Sequence, residues 1–177
     1  MSDKTEVTVE SLRVSLTNQH RIILLREKNG PLSLPLFVGQ FEAESIVIAL
    51  QGIEISRPQP HDLIRSIIRE LDGEIISAEI TEMKAATFYA ELTVLNAAGE
   101  EVHIDCRPSD ALVVALRAHV PLYVDRILMD SFGIMPEKDV REKKSTHLYT
   151  DQILQERWQK QYRLQNRKPC YSLSETK

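Results

Sequence analysis

The chain has 177 residues, 42% apolar and 27% charged, with 22 Lys+Arg against 26 Asp+Glu for a net charge of −4. That size suits one domain with at most an appendage, able to bury a core without disulfides or metals, and the composition excludes wholesale disorder. No apolar run approaches the ~18 residues of a membrane span, and the polar opening MSDKTEVTVE does not read as a secretory signal, so a cytoplasmic protein with no membrane partner is expected.

The charge is unevenly spread. Residues 1–136 carry 12 basic and 20 acidic side chains, a balance of −8, whereas residues 137–177 carry 10 and 6, a balance of +4. An acidic body is unlike a non-specific nucleic-acid binder, which shows a basic excess. The two cysteines, Cys106 and Cys170, have no zinc-ligand spacing. Cys106 falls in the apolar alternation of a strand and reads as a buried, inert thiol; Cys170 lies in a polar tail.

In chain order, residues 5–16 alternate apolar and polar with a break near Glu10–Ser11, which is strand periodicity. Asn18-Gln19-His20 reads as a turn, residues 21–28 as the returning strand, Asn29-Gly30-Pro31 as a second turn and residues 34–38 as a short strand. Residues 41–51 have apolar side chains at 43, 46, 47 and 50, a helical spacing, with Glu42 and Glu44 suited to the positive end of the helix dipole. Residues 53–60 form a loop with two prolines. A second helix over 61–71 has apolar positions 63, 64, 67, 68 and 71 and stops at Asp72-Gly73.

Three strand-like runs follow at 74–83, 87–95 and 101–106, an antiparallel meander joined by Lys84–Ala86 and by the Gly-containing turn Asn96–Glu100. A third helix is expected over 108–119 with Ser109 as its N-cap and Leu112, Val113 and Leu116 inward. A short strand at 121–124 and a short helix at 126–132, ending at Gly133, complete the domain at about residue 136. The polar extension 137–177 holds one helical candidate, 150–166, with Trp158 as its anchor, before a disordered end. The fold class is therefore α+β, antiparallel strands with helices and a C-terminal helical tail.

One pattern joins distant parts of the chain. Phe41-Glu-Ala-Glu-Ser-Ile-Val-Ile-Ala-Leu50 aligns without gaps to Arg107-Pro-Ser-Asp-Ala-Leu-Val-Val-Ala-Leu116, with Glu44 opposite Asp110, and each block follows strand runs. This suggests a duplicated unit of strands followed by a helix; chance similarity between two amphipathic helices is the alternative.

No phosphate-cradling Gly-rich loop, nucleophile elbow or paired-His zinc helix is present. Polar residues instead gather where helices begin. Arg57-Pro58 and His61-Asp62 place an imidazole and a carboxylate beside helix N–H groups, and an imidazole titrates near neutrality, as a general base requires. The bland alternative is a Pro-rigidified helix entry with Asp62 facing the dipole. Asp105-Cys106-Arg107-Pro108-Ser109-Asp110 sets two carboxylates five residues apart across a strand-to-helix junction. Such oxygens suit Mg²⁺ or Mn²⁺, and Arg107 suits a phosphate. Its bland alternative is a capped helix with Arg107 paired to a nearby acid. Glu42 and Glu44 sit two apart and point to different helix faces; Glu44 is the better third metal ligand through its equivalence to Asp110.

The same clusters carry a family resemblance. Leu34-Pro-Leu-Phe-Val-Gly39, Glu42-Ala43, Arg57-Pro58, His61-Asp62-Leu63, Ile80-Thr81, Thr87-Phe-Tyr-Ala90, Asp105-Cys-Arg-Pro-Ser-Asp-Ala111 and Pro121-Leu-Tyr-Val124, in order over roughly residues 8–135, resemble the bifunctional nuclease domain family. The resemblance implies a compact α+β domain and, for plant members, nuclease activity on RNA and DNA. The matching polar residues are Glu42, Arg57, His61, Asp62, Asp105, Arg107, Ser109 and Asp110. The family often has an acid-Gly turn where this chain has Lys84-Ala85-Ala86, a change to a hairpin rather than to a site. Some bacterial relatives also carry a C-terminal helical hairpin shared with excision-repair proteins, which this tail does not match.

The resulting expectation is a metal-assisted nuclease. His61 and Asp62, with Asp105 and Asp110, would be catalytic; Arg57, Arg107 and Ser109 would bind substrate; Asp105, Asp110 and Glu44 would hold the divalent ion. The alternatives are a regulatory or scaffolding protein in which these motifs are structural, and a small-molecule phosphate binder. Open strand edges favour a homodimer.

Overall fold

A computed structural model describes residues 3–14 and 21–135. The turn expected at 18–20, the tail 137–177 with its helix, Trp158 and Cys170 all lie outside the described residues.

The first three strands, β1 (Lys4–Val14), β2 (Arg21–Glu27) and β3 (Ser33–Val38), form an antiparallel meander followed by α1 (Gln40–Gln51). After α2 (Pro60–Glu70), the pattern repeats: β4 (Glu74–Lys84), β5 (Thr87–Leu95) and β6 (Glu101–Cys106) form a second antiparallel meander followed by α3 (Pro108–Ala118). A last strand, β7 (Leu122–Asp125), enters between the two meanders, antiparallel to β1 and parallel to β4, before α4 (Arg126–Phe132). The sheet order is β3-β2-β1-β7-β4-β5-β6, so each half has the same order about β7. The break expected at Glu10–Ser11 is a register shift between Val9 and Ser11, where one extra residue of β1 bulges against β2.

One apolar core runs through both halves, from Ile23, Leu25 and Ile46 to Leu92, Leu112 and Val124. Helix α3 is its centre. Ala111 through Ala115 are five consecutive buried residues, because α3 packs on β4 and β5 and also against α1 and α2. A helix covered on several sides needs apolar residues all round rather than a single stripe, and the run Ala-Leu-Val-Val-Ala supplies them.

Helix α2 follows another rule. Of its five periodic apolar positions only Ile68 packs against the core; Leu63 (57% exposed), Ile67 (48%) and Leu71 (70%) face solvent, while His61 is buried. The buried side is fastened by polar bonds to α3, described below. The helix ends at Leu71, with Asp72 rather than Gly73 taking positive φ (55°).

The Lys84–Ala86 connection proves to be a two-residue hairpin loop, since Lys84 pairs directly with Thr87. Ala85 and Ala86 both have positive φ, 46° and 61°, the mirror-image turn that matches strand twist and favours Asn-Gly. A Cβ in that region costs roughly 1–2 kcal/mol. Ala85→Asn/Ala86→Gly is accordingly expected to raise unfolding free energy by about 1–2 kcal/mol, read by urea denaturation. An unchanged midpoint would mean that the flanking strands, not the loop, set the register.

Candidate functional site

Three helix N-termini meet at one place. Helix α3 starts where β6 ends, with Arg107 as its N-cap residue and Pro108 in its first turn; Ser109, expected to cap, is buried instead. Pro108 fixes helical φ at the first helical position, which puts the cap at Arg107, two residues upstream of Ser109.

Asp110 is the hub. Arg107 grips it with two bonds, Nε to Oδ2 at 2.8 Å and Nη2 to Oδ1 at 3.0 Å, and His61 Nε2 lies 3.2 Å from Oδ1. The third guanidinium nitrogen of Arg107, Nη1, donates to Glu42 Oε1 at 2.9 Å. Residues from α1, α2 and α3 are thus joined in one chain, Glu42–Arg107–Asp110–His61. Burial by itself pushes the Asp110 carboxyl up, but the hydrogen bonds from Arg107 and His61 outweigh it and hold the carboxyl below its ordinary value. Reciprocally, Asp110 and then Glu42 raise the Arg107 pKa.

The ring of His61 is 8% exposed as a residue, and its Nδ1 is buried without a hydrogen-bond partner among the described residues. An ionised Asp110 accepts a proton-bearing nitrogen, so in the neutral ring the proton belongs on Nε2 and Nδ1 carries the lone pair. The carboxylate thus fixes the tautomer and orientation of the ring, while the lone pair on Nδ1 is enclosed by protein.

Asp62 faces a different partner. One of its oxygens accepts from the Gln59 backbone N–H at 2.9 Å, closing a capping box, and the other accepts from Arg117 Nη1 at the far end of α3. Arg117 also donates to Gln59 Oε1 at 2.6 Å. Arg65 returns the bond by donating to the Arg117 carbonyl, one of the carbonyls a helix C-terminus leaves unpaired.

The other expected site residues stand apart from this chain of bonds. Asp105 is exposed on β6, opposite Glu91 in register. Arg57 is exposed in the loop before α2. Glu44 is exposed and accepts from Gln40 one turn earlier at 3.2 Å, so its sequence equivalence to Asp110 is not an equivalence of surroundings; Glu42 is the α1 acid that joins the site. Arg117, Gln59 and Arg65 also belong to these helix ends. The signal for Gln59 and Asp62 was their three-residue spacing across Pro60, whereas nothing local marks Arg117.

Asp105, Asp110 and Glu44 do not fit a divalent ion in this arrangement. Both Asp110 oxygens accept from Arg107, Glu44 is turned to Gln40, and among the described residues no three His, Cys, Asp or Glu side chains form a group able to hold a metal. Cys106, half-buried beneath the junction, is no nucleophile either. Burial pushes its thiol up to about 12, and the charges of Asp110 and Asp105 add to this.

Residues 23–137 match the family model of the bifunctional nuclease domain. The chain belongs to that family. An uncharacterized protein of Mycobacterium tuberculosis is 34% identical over 148 residues, 84% of this chain and 88% of that protein. Bifunctional nuclease 1 of Oryza sativa subsp. indica is 29% identical over 117 residues, 65% of this chain but 35% of that protein, and bifunctional nuclease 2 of Arabidopsis thaliana is 29% identical over 119 residues, again 65% of this chain and 36% of the relative. The chain therefore spans about a third of the plant proteins' length. Family membership supports a nuclease-type function, and no helix among the described residues is long and apolar enough to cross a membrane.

Proposed function

We propose that this domain hydrolyses phosphodiester bonds of DNA or RNA at the Asp110 junction. The observation that carries the reading is the bridging of His61 and Arg107 by one carboxylate, which fixes an imidazole and a phosphate-binding cation side by side. Arg107 is 65% exposed at its side chain, so its guanidinium is open to a phosphate while Asp110 and Glu42 fix its plane. Arg57, exposed before α2, supplies a second cation at the same end of that helix. Asp110 holds the Nε2 proton of His61, whose Nδ1 is enclosed by protein, so the ring orients the site while the attacking water loses its proton to solvent as its oxygen bonds to phosphorus. The phosphorus–ester oxygen bond breaks, and the leaving oxygen is protonated from solvent. With the body at −8 over residues 1–136, substrate contact falls to these local arginines rather than to a broad basic face.

The test is hydrolysis of single-stranded DNA and RNA by the purified full chain with Mg²⁺, Mn²⁺ or EDTA, beside His61→Ala and Arg107→Ala. Cleavage that both variants lose while remaining folded supports the site; equal traces in all three overturn it. The EDTA arm decides the divalent-ion expectation separately. A cytoplasmic homodimer joined through the open edge of β6, where Val102 and Ile104 are exposed, belongs to the same proposal and is read by sedimentation equilibrium.

A second reading is favoured by Asp62, whose two oxygens are both taken up in capping α2 and binding Arg117. In a non-enzymatic scaffold the whole constellation would only fasten helices together. Wild-type protein that binds oligonucleotides or a partner without cleaving them would establish that reading.

A further inference from the structure

We propose that Arg117, through Asp62 and Gln59, is the positioning residue that turns His61 toward Asp110. The activity part of the proposal rests on the hydrolytic reading above; the structural part does not.

At 3.6 residues per turn, Leu63 and Ile67 lie on the opposite side of α2 from His61. Apolar burial alone would roll the helix so that this stripe met the core. The helix instead buries a histidine and exposes Leu63 and Ile67. What opposes the roll is a set of bonds crossing in both directions. Arg117 donates to Asp62 and Gln59, and Arg65 donates back to the Arg117 carbonyl. The side chains of Arg117 and Asp62 are only 12% and 18% exposed. A charge pair this shielded is screened little by salt, and each partner is costly to leave alone. The bond from His61 to Asp110, at 3.2 Å, is a neutral-to-charged contact at the end of a short helix and is not by itself enough to set that helix's rotation.

The fork of Arg117 matters as much as its charge, since it reaches Asp62 and Gln59 with separate nitrogens. A lysine brings one ammonium to the same place and cannot reproduce the planar two-partner contact. Arg117→Lys thus weakens the clamp while keeping the charge that Asp62 faces. Asp62→Asn weakens it from the other end and leaves an acceptor for the Gln59 N–H.

The decisive measurement is the long-range ¹H–¹⁵N spectrum of the His61 ring in full-length protein, at a pH where the ring is neutral. The wild type is expected to give a single tautomer with its proton on Nε2, facing Asp110. Arg117→Lys and Asp62→Asn, checked for cooperative unfolding, are expected to give mixed tautomers, because the ring no longer meets the carboxylate. If either variant fails to fold, the other is read alone. A wild-type-like single tautomer in a folded variant overturns the proposal. Where the wild type cleaves nucleic acid, Arg117→Lys is expected to lower kcat at least tenfold with KM within about twofold, as for an interaction acting in the transition state. If the wild type cleaves nothing, the hydrolytic reading falls while the tautomer result still decides the role of Arg117.

Discussion

Asp110→Ala is expected to produce the largest loss of function of any single change, a fall in nucleic-acid hydrolysis of about 10²–10³-fold, the usual weight of a lost preorganised electrostatic contact. The carboxylate serves two partners at once. Without it, His61 loses the acceptor that fixes its tautomer, and Arg107 keeps only the bond to Glu42. The stability cost is smaller, about 1–3 kcal/mol, since it comes mainly from leaving a buried imidazole nitrogen unpaired. The exposed Arg107 pairing itself contributes no more than about 1 kcal/mol.

The pH dependence has a definite sign. The Asp110 carboxyl is held below its ordinary value in the folded state, so its contribution is fully present above the unfolded carboxyl value of about 3.9. It is lost as pH falls through the lower folded value. The share of the wild-type advantage over Asp110→Asn that comes from the carboxylate is therefore expected to be present above about pH 5 and to disappear in more acid solution. Urea unfolding across pH measures this directly. A difference that grew below about pH 5 would mean that the carboxyl is instead raised by burial.

The second large effect is on stability. Ile46→Ala and Leu112→Ala are each expected to cost about 2–5 kcal/mol, because both side chains are fully buried in the core. They occupy the same position of the gap-free alignment between α1 and α3, so comparable losses would follow from their equivalent places in the two halves. Ile67→Ala, at an equally periodic position, is expected to stay within about 0.5 kcal/mol, as exposed substitutions do. Chemical denaturation of the three variants separates them. A cost of several kcal/mol for Ile67→Ala would show that this face of α2 is covered in solution.

These variants also mark how far local sequence reaches. The strands and helices were legible almost to the residue: 87–95, 101–106 and 126–132 coincide with β5, β6 and α4, and the irregularity near Glu10–Ser11 is a register shift. Alternation and Gly, Pro and Asn turns report short-range geometry, which a chain carries without reference to the rest of the fold. The aligned blocks at 41–50 and 107–116 likewise foretold two meander-then-helix halves. They could not foretell that β7 would enter between those halves, parallel to β4, because a strand's neighbours are chosen by long-range packing.

For the site, residue chemistry sets Arg57, His61 and Asp62 in one cluster, Asp105, Arg107 and Asp110 in a second and Glu42 and Glu44 in a third, and spacing alone does not say which members of the three meet. Sequence spacing can place an acid at a helix start but cannot say which way the helix is turned. That was decided by contacts between residues 49, 55 and 65 positions apart: His61 with Asp110, Asp62 with Arg117, and Glu42 with Arg107. Short-range pattern sets the elements, their order and the polar residues available at their ends. Which of those residues meet follows from long-range packing, because the rotation of α2 is set by a buried arginine clamp whose bonds outweigh the apolar stripe that local periodicity records.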